Sequence, residues 1–249
     1  MRKCRASTGK FFIVLILAQF IPVAASQPRA RQGVTEDLSG GASFTFDIGP
    51  NLPQFTFKVV PEPQTTDQYG NAQSTVRDIQ VFRGDSKQPL QHLTGCVFRN
   101  MQPPRAESDW FHTEDFNFDG YQDVFLGTWW GATGNAGGCI WLYNPRSGRF
   151  DYNPELTALD IRSLDPQTKT ILCFETGGMA GMVHSAERYK VENNGPVLIW
   201  SERQDWDSSR NQFHCVQQER HGDKLATILN IRGTEDDVRQ CVASRLFDN

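Results

Sequence analysis

Short stretches in which apolar and polar residues alternate recur along this chain, and they limit the folds open to it. Residues 43–47, 54–58 and 77–82 alternate with period two, which is typical of β-strands with one buried face. Similar patterns predict strands at 121–127, 139–144, 169–175, 185–192, 196–202, 212–219 and 224–231. Helix signals are weak, and we expect single turns at 154–159 and at 234–239.

The spacing of these strands favours antiparallel hairpins over strand-helix-strand units. Asn and Gly turn signals agree with this, because they occur at 144–148, 193–195 and 221–223. We therefore predict an all-β fold of antiparallel strands. With about 40–45 residues per blade, the chain has room for about five small propeller blades. A β-sandwich is the alternative, since no clean sequence repeat is visible.

The first 26 residues have the pattern of a bacterial secretory signal peptide. A basic start is followed by an apolar run at 11–21 and by small residues at 22–26. The run is too short to suit the alternative, an uncleaved membrane anchor, and no cysteine stands at the cleavage point for lipid attachment. We predict a signal peptide at 1–26, a flexible leader at 27–41 and a single all-β domain at 42–249, located in the periplasm or secreted.

Removal of this segment makes the chain more acidic. It carries four of the 25 Lys and Arg residues and none of the 29 Asp and Glu residues, so 21 basic and 29 acidic residues remain, for a net charge of −8. A chain of this charge is a poor ligand for nucleic acid. It is better suited to cations and to basic protein partners.

Five cysteines follow the predicted cleavage point, and none belongs to a CxxC pair, so the sequence does not support a zinc or thioredoxin-type site. In an oxidising compartment, two disulfides and one free thiol are expected. We predict a bond between Cys215 and Cys241, because both lie in strand-like segments near the C-terminus.

The loop at residues 115–123 has the spacing of a calcium site. Its oxygen donors fall at alternate positions, namely the side chains of Asp115, Asn117, Asp119 and Asp123 and the carbonyl of Tyr121. Asp123 would bind directly or through water. Gly120 supplies the positive φ that lets such a loop fold back on an ion. Leu126 stands where an EF-hand has its bidentate Glu, so we predict a short calcium loop that leads into a strand.

A hairpin turn with solvated acids is the alternative interpretation of this loop. Three carboxylates within nine residues favour a divalent cation, because the cation relieves their mutual repulsion. Phe116 and Phe118 alternate with the ligands and are expected to face the core, which would tie the ion to packing. The predicted role of the calcium ion is therefore structural.

The loop resembles the calcium loop of integrin-type FG-GAP propeller repeats. Together with the Gly-rich segment 131–138, the segment 140–150 and the strands up to 199, it also resembles bacterial periplasmic lysozyme inhibitors. These include immunity proteins that neutralise lysozyme-like effectors of antibacterial type IV secretion systems. The resemblance covers about residues 109–203. Characterised immunity members look lipid-anchored, whereas this chain has no lipobox.

The resemblance implies that a loop enters or covers the glycan groove of a peptidoglycan hydrolase. One candidate loop is 129–138 and the other is 177–184, because glycines allow close approach and aromatic residues anchor interfaces. The expected contact residues are Trp129, Trp130, Thr133, Asn135, Met179 and Met182. Packing in the core or at its rim is the alternative role for the Trp and Met residues.

No nucleophile, zinc-protease or nucleotide-binding motif occurs in the sequence, so we predict that the chain is not an enzyme. Its five histidines are scattered and lack metal-ligand spacing. Two functions are left open. The first is a calcium-stabilised protein inhibitor, an immunity protein, of a lysozyme-like peptidoglycan hydrolase. The second is a calcium-stabilised adhesion or glycan-binding propeller module.

Overall fold

Antiparallel strands make up most of the structure, a computed structural model that describes residues 34–36, 42–62, 65–66, 72–73, 76–96 and 110–241. These residues belong to one unit that spans Arg31–Asn249. Every strand pair that the structure describes is antiparallel, so the predicted all-β fold of antiparallel strands is confirmed. The predicted signal peptide lies outside the described residues. Of the predicted leader, only Val34–Glu36 is described, and it forms a strand.

Within the described residues, the strands and one α-helix follow one another in chain order. They are β1 (Val34–Glu36), β2 (Ala42–Phe46), β3 (Phe55–Pro61), β4 (Thr65–Thr66), β5 (Ala72–Gln73), β6 (Val76–Arg83), β7 (Gln91–His92), β8 (Phe111–Glu114), β9 (Asp123–Trp130), β10 (Ala136–Asn144), β11 (Arg149–Tyr152), α1 (Pro154–Thr157), β12 (Ile161–Asp165), β13 (Thr170–Thr176), β14 (His184–Glu192), β15 (Gly195–Asp207), β16 (Gln212–His221) and β17 (Lys224–Gly233). Short 3₁₀ turns lie at Met179–Gly181 and Asp237–Gln240.

The described strands form three main sheets and a two-stranded ribbon. The first sheet has the order β1-β2-β3-β6-β7, the central sheet has the order β11-β10-β9-β8, and the third runs β12 to β17 in sequence. The ribbon pairs β4 with β5. The meander of the third sheet follows from tight turns such as that at Asn193 and Asn194, whose φ angles of 52° and 65° suit a type I′ hairpin.

The largest core lies between the first and the central sheet. On β3 the predicted alternation places Phe55, Phe57 and Val59 in the interior. They pack against central-sheet residues that include Phe111 and Trp141. Apolar burial of this kind is the main stabilising contribution to such a fold.

The central sheet is buried on both faces. Along β10, Trp141 and Tyr143 face the first core, whereas Ile140 and Leu142 face a second core shared with the third sheet. Leu156 of α1 joins this second core, and the Asn153 side chain caps the helix by accepting from the Leu156 N–H at 2.9 Å. The described sheets therefore pack in layers, as in a sandwich. The described residues do not form a closed ring of blades.

The outer end of the third sheet has a small core of its own, built from Phe213, Cys215, Val238 and Cys241. Cys215 and Cys241 form a disulfide there, which confirms the predicted pairing. Cys96 and Cys139 form a second disulfide, and Cys173 is a free, buried thiol. Two disulfides and one free thiol agree with the expectation from the cysteine count and indicate an oxidising, extracytoplasmic compartment.

Candidate functional site

The loop between β8 and β9, residues 115–122, folds around its own side chains. The two carboxylate oxygens of Asp115 accept hydrogen bonds from the N–H groups of Asp119 at 3.0 Å and Gly120 at 2.9 Å. Gly120 has the positive φ expected of it, 91°, and Phe118 also has a positive φ, 57°. Phe116 is buried and Phe118 is partly buried, and both pack on the second core as predicted.

The same loop connects the central sheet to the third sheet. The side-chain nitrogen Nδ2 of Asn117 donates to Oδ2 of Asp119 at 3.0 Å. It also donates at 3.1 Å to Oδ1 of Asn194, which lies in the β14–β15 turn. The Lys169 ammonium donates to the Phe118 carbonyl at 3.3 Å. The loop is therefore a structural joint between two sheets.

Asp123 lies at the start of β9 and is fully buried. Its Oδ2 accepts from the Phe116 N–H at 2.9 Å and its Oδ1 accepts from the Tyr143 N–H at 2.8 Å. Burial, together with the charges of Asp119 and Asp115, raises the pKa of Asp123 to about 8 against the lowering effect of these two hydrogen bonds. The carboxylate thus joins the loop to β10.

The donor set of the loop fits a calcium ion in part. Each carboxylate oxygen of Asp115 and Asp119 retains a lone pair beside its hydrogen bond, and hard oxygen donors suit Ca²⁺. An ion bound directly by three carboxylates would hold their oxygens within about 5 Å of one another. The oxygens of Asp115, Asp119 and Asp123 do not all lie within 4.8 Å. The loop is therefore not arranged for direct binding of one ion by all three carboxylates.

The side chain of Asn135 links the two predicted contact loops. The Asn135 amide donates to the Thr176 carbonyl at 3.0 Å and accepts from the Thr176 N–H at 2.9 Å. The two bonds have the pattern of a residue pair in an antiparallel sheet, with the side-chain amide of Asn135 in the place of a backbone peptide group. Asn135 therefore joins the loop between β9 and β10 to the end of β13, where residues 177–183 begin. We call the surface formed by residues 129–135 and 177–183 the joined-loop surface.

The first half of the joined-loop surface presents an exposed aromatic side chain. Trp129 is 43% exposed, and its indole lies over Gly137, where a Cβ would stand 2.4 Å from the indole nitrogen. A glycine at 137 is thus required for this indole position. Thr133 is exposed at the tip of the loop. Trp130 ends β9, and its side chain lies outside the described part of the structure.

The second half has an exposed methionine on a strained backbone. Met179 is 50% exposed, and Met182 packs against the outer core of the third sheet. Met179 and Ala180 have φ angles of 56° and 54°, which non-glycine residues rarely adopt. Such strain is held in place by surrounding contacts and is often found at functional sites.

Beneath residues 177–183 lies a buried polar group that the sequence did not reveal. His184 Nε2 lies 2.9 Å from Glu202 Oε1, and its Nδ1 lies 3.0 Å from the Gly181 carbonyl. Gln217 donates to Glu202 Oε2 at 2.6 Å, and Gln204 donates to the Met182 carbonyl at 2.7 Å. The residues come from three strands, so no local spacing could have identified the cluster.

An open cleft of about 510 Å³ lies elsewhere, between β7 and β11. Its walls include Leu90, Gln91, Arg149, Phe150 and Tyr152. It contains none of the residues predicted from the sequence, and its edge is closed by paired bonds between Gln91 and the Phe150 backbone. We therefore place the candidate site at the joined-loop surface.

Comparison with known proteins supports the fold. No protein-family profile matches the chain, and no curated protein matches it either. A solved structure of a Xanthomonas type IV secretion system related protein is similar, with a TM-score of 0.51 and 17% sequence identity. The match covers 80% of this chain and 98% of the Xanthomonas protein. Among the described residues, no helix is both long and apolar enough to cross a bilayer.

Proposed function

We propose that this protein is a calcium-stabilised inhibitor, an immunity protein, of a lysozyme-like peptidoglycan hydrolase, and that its joined-loop surface blocks the glycan groove of the enzyme. The observation that carries the proposal is the clamp between Asn135 and Thr176, which holds two otherwise separate loops as one surface. A surface fixed before binding loses less conformational entropy when the partner arrives.

The exposed residues of this surface suit a protein interface. In the described part of the chain, the large hydrophobic side chains with the highest exposure are Trp129, Met179 and Ile228, and the first two belong to the joined-loop surface. Tryptophan commonly dominates the binding energy of interfaces, and methionine adapts its shape to a partner. Ile228 lies on β17, at the far edge of the third sheet.

The net charge of the chain and its similarity to a solved structure also support the inhibitor proposal. Without its first 26 residues the chain has a net charge of −8, and many lysozyme-like enzymes are basic, so association would be accelerated by attraction. The similar Xanthomonas protein is related to a type IV secretion system. A role beside such a system would suit an inhibitor that protects the cell wall from a secreted hydrolase.

Calcium supports binding indirectly in this proposal. Asp115, Asn117, Asp119 and the Tyr121 carbonyl would hold the ion, with Asp123 contributing through water. The ion would brace the joint between the central and third sheets, and β9 continues from that joint to Trp129. The proposed activity is binding and not catalysis. The acid–imidazole pair of Glu202 and His184 has side chains only 0% and 5% exposed, so a substrate could not reach it.

Glycan binding without inhibition is the second candidate. The indole of Trp129 lies over Gly137 and is partly exposed, and an exposed aromatic ring also suits stacking on a sugar. An adhesion or glycan-binding module of the propeller type would use the same residue.

Inhibition assays with matched variants test the proposal. The protein is titrated against lysozyme-like hydrolases of several classes, with Trp129→Ala, Met179→Ala and Ile228→Ala as variants. We expect stoichiometric inhibition, a loss of about tenfold or more in affinity for Trp129→Ala, and no change for Ile228→Ala. Binding to peptidoglycan fragments without inhibition of any hydrolase would instead support the glycan-binding module.

A further inference from the structure

His184 is held between two hydrogen-bond acceptors in the interior. Its Nδ1 faces the Gly181 carbonyl at 3.0 Å, and its Nε2 faces Glu202 at 2.9 Å. A carbonyl oxygen can only accept, so Nδ1 must carry a proton for this contact to be a hydrogen bond. Glu202 accepts from Gln217 through its other oxygen, which suits an ionised carboxylate. The contacts as a set require a proton between Nε2 and Glu202 in addition to the one on Nδ1, and with an ionised Glu202 that state is an imidazolium at position 184.

Loss of one proton cannot preserve both contacts of the ring. A neutral imidazole has a single N–H, and the carboxylate of Glu202 is a stronger acceptor than the Gly181 carbonyl. The remaining proton therefore stays on Nε2, and the lone pair of Nδ1 then faces the carbonyl oxygen. The loop loses its hydrogen bond at Gly181.

The backbone above His184 is strained where this anchor holds it. Met179 and Ala180 have left-handed backbone angles, and Gly181 follows with a φ of 89°. Gln204 anchors the next carbonyl, that of Met182, and its donor does not change with pH in the relevant range. Release of Gly181 would thus free Met179 and Ala180 to relax while Met182 stays attached.

The surroundings of the pair are mainly uncharged. Phe174 of β13 lies with its ring 5.8 Å from the imidazole, and β16 contributes Gln217 and the Cys215–Cys241 disulfide. Asp205 of β15 is a further charge near the ring, although it is ion-paired with Arg203 at 2.6 Å. Glu175 and Arg203 pair with Ser185, next to His184, and so project from the opposite face of the sheet. Glu202 is therefore the charge that faces the ring directly.

We propose that the His184–Glu202 pair is a protonation-controlled lock on the 177–183 loop, which keeps Met179 in its binding position when His184 is charged and releases it when His184 is neutral. The lock would make binding by the joined-loop surface stronger in mildly acidic than in alkaline medium. Its biological meaning rests on the proposed function, but the lock itself does not require a partner.

The direction of the pH dependence follows from the environment of the ring. Burial lowers the pKa of His184, but hydrogen bonds to Glu202 and Gly181 and the charges of Glu202 and Asp205 together raise it above its ordinary value. The stabilisation is therefore fully present below the pKa of an unfolded histidine, about 6.5, and is lost as pH rises through the higher folded-state value.

Two substitutions distinguish the lock from a merely structural contact. In Glu202→Gln the new amide can donate to Nε2 and accept from Gln217, so a neutral imidazole keeps its proton on Nδ1 and its bond to Gly181 at every pH. His184→Ala removes the anchor at every pH. If His184→Ala fails to fold, Glu202→Gln and the wild type still test the lock.

Amide hydrogen exchange of the full chain, corrected for the intrinsic effect of pH, is the measurement. The Met182 and Val183 N–H groups bond within the loop, to Met179 and Gly178, whereas the Gly131 N–H bonds within the other loop and is the control. Between about pH 6 and pH 9 we expect about tenfold faster opening at Met182 and Val183 in the wild type, and no change at Gly131. Glu202→Gln should show slow opening throughout.

Uniform protection of the wild-type loop over this range, or the same pH dependence in Glu202→Gln, would overturn the lock. NMR of the His184 ring provides a second check, since a neutral ring at pH 6 contradicts the inference. If the loop opens with pH but no hydrolase is inhibited at any pH, the proposed function fails and the lock stands. If a hydrolase is inhibited but opening of the loop does not depend on pH, the proposed function stands and the lock fails.

Discussion

Asp123 on β9 and Glu202 on β15 are both buried acids, yet the groups that donate hydrogen bonds to them differ. Asp123 accepts hydrogen bonds from two backbone N–H groups, those of Phe116 and Tyr143. Glu202 accepts from two side chains, those of His184 and Gln217. Backbone donors cannot titrate, whereas the histidine can gain or lose a proton near neutral pH.

This difference separates a joint whose donors cannot titrate from one whose donor can. The Asp123 contacts hold the start of β9 against β10 through backbone N–H groups, which keep their protons at every physiological pH. The Glu202 contacts hold the 177–183 loop through a histidine whose charge depends on pH. A chain can thus use a rigid region to support a binding surface and a titratable region to control it.

Asp123→Ala should have the largest effect on stability. It leaves the N–H groups of Phe116 and Tyr143 buried without their acceptor, at about 1–3 kcal/mol for each group. We expect the free energy of unfolding, measured with denaturant in the presence of chelator, to fall by about 4 kcal/mol. Asp151→Ala, at an exposed acid on β11, should change it by less than about 0.5 kcal/mol. Equal effects of the two substitutions would show that the backbone contacts of Asp123 do not stabilise the joint.

Calcium should stabilise the joint at Asp123 and leave the Glu202 pair unaffected. An ion present at 100 times its dissociation constant adds about 2.7 kcal/mol to the free energy of unfolding. We expect the melting temperature to rise with calcium and to fall with chelator. Asp115→Asn should abolish this response, whereas Glu202→Gln should retain it. An identical melt with calcium and with chelator would contradict the calcium site.

Much of the fold could be predicted from the sequence because its long strands bury one face. Sequence patterns identified β3, β13, β14, β16 and β17 within three residues, whereas β15 continues to Asp207, five residues beyond its predicted end. The strands β8, β11 and β12 were missed, as were the shorter β1, β4, β5 and β7, because short strands carry little periodicity; β2, also short, was identified from Phe44 and Phe46. The pairing of Cys215 with Cys241 was predicted from their strand-like surroundings and is confirmed.

The candidate site was less predictable because its contacts join distant segments. Asn135 was predicted as a contact residue from its Gly-rich loop, but its bonds to Thr176 cross 41 residues. The pairing of His184 with Glu202 depends on the register between β14 and β15. The turn at Asn193 and Asn194 sets the start of that register, but a bulge between Arg188 and Tyr189 shifts it before His184 is reached, and no sequence pattern indicated the bulge.

Asn135→Ala should have a moderate effect on stability and a larger one on binding. Loss of the two bonds to Thr176 should lower the free energy of unfolding by about 1–2 kcal/mol, since the site is partly buried. Thr133→Ala, at an exposed position in the same loop, should leave stability unchanged. Inhibition should weaken by more than the stability loss accounts for, because the two halves of the joined-loop surface would move separately. Unchanged inhibition by a folded Asn135→Ala protein would exclude the clamp as a binding determinant.

Ala180→Gly should have the smallest effect, and its sign is informative. A left-handed alanine costs about 1 kcal/mol, and glycine removes that cost while adding somewhat less entropy to the unfolded chain. We expect a gain of up to about 0.5 kcal/mol in denaturant unfolding. Ala186→Gly, the same change at a buried position in β14, should instead cost about 1 kcal/mol.

Because strain at Ala180 favours release of the loop, Ala180→Gly should also reduce the pH-driven opening at Met182 and Val183. Destabilisation of similar size by both substitutions would mean that the backbone at Ala180 stores no strain.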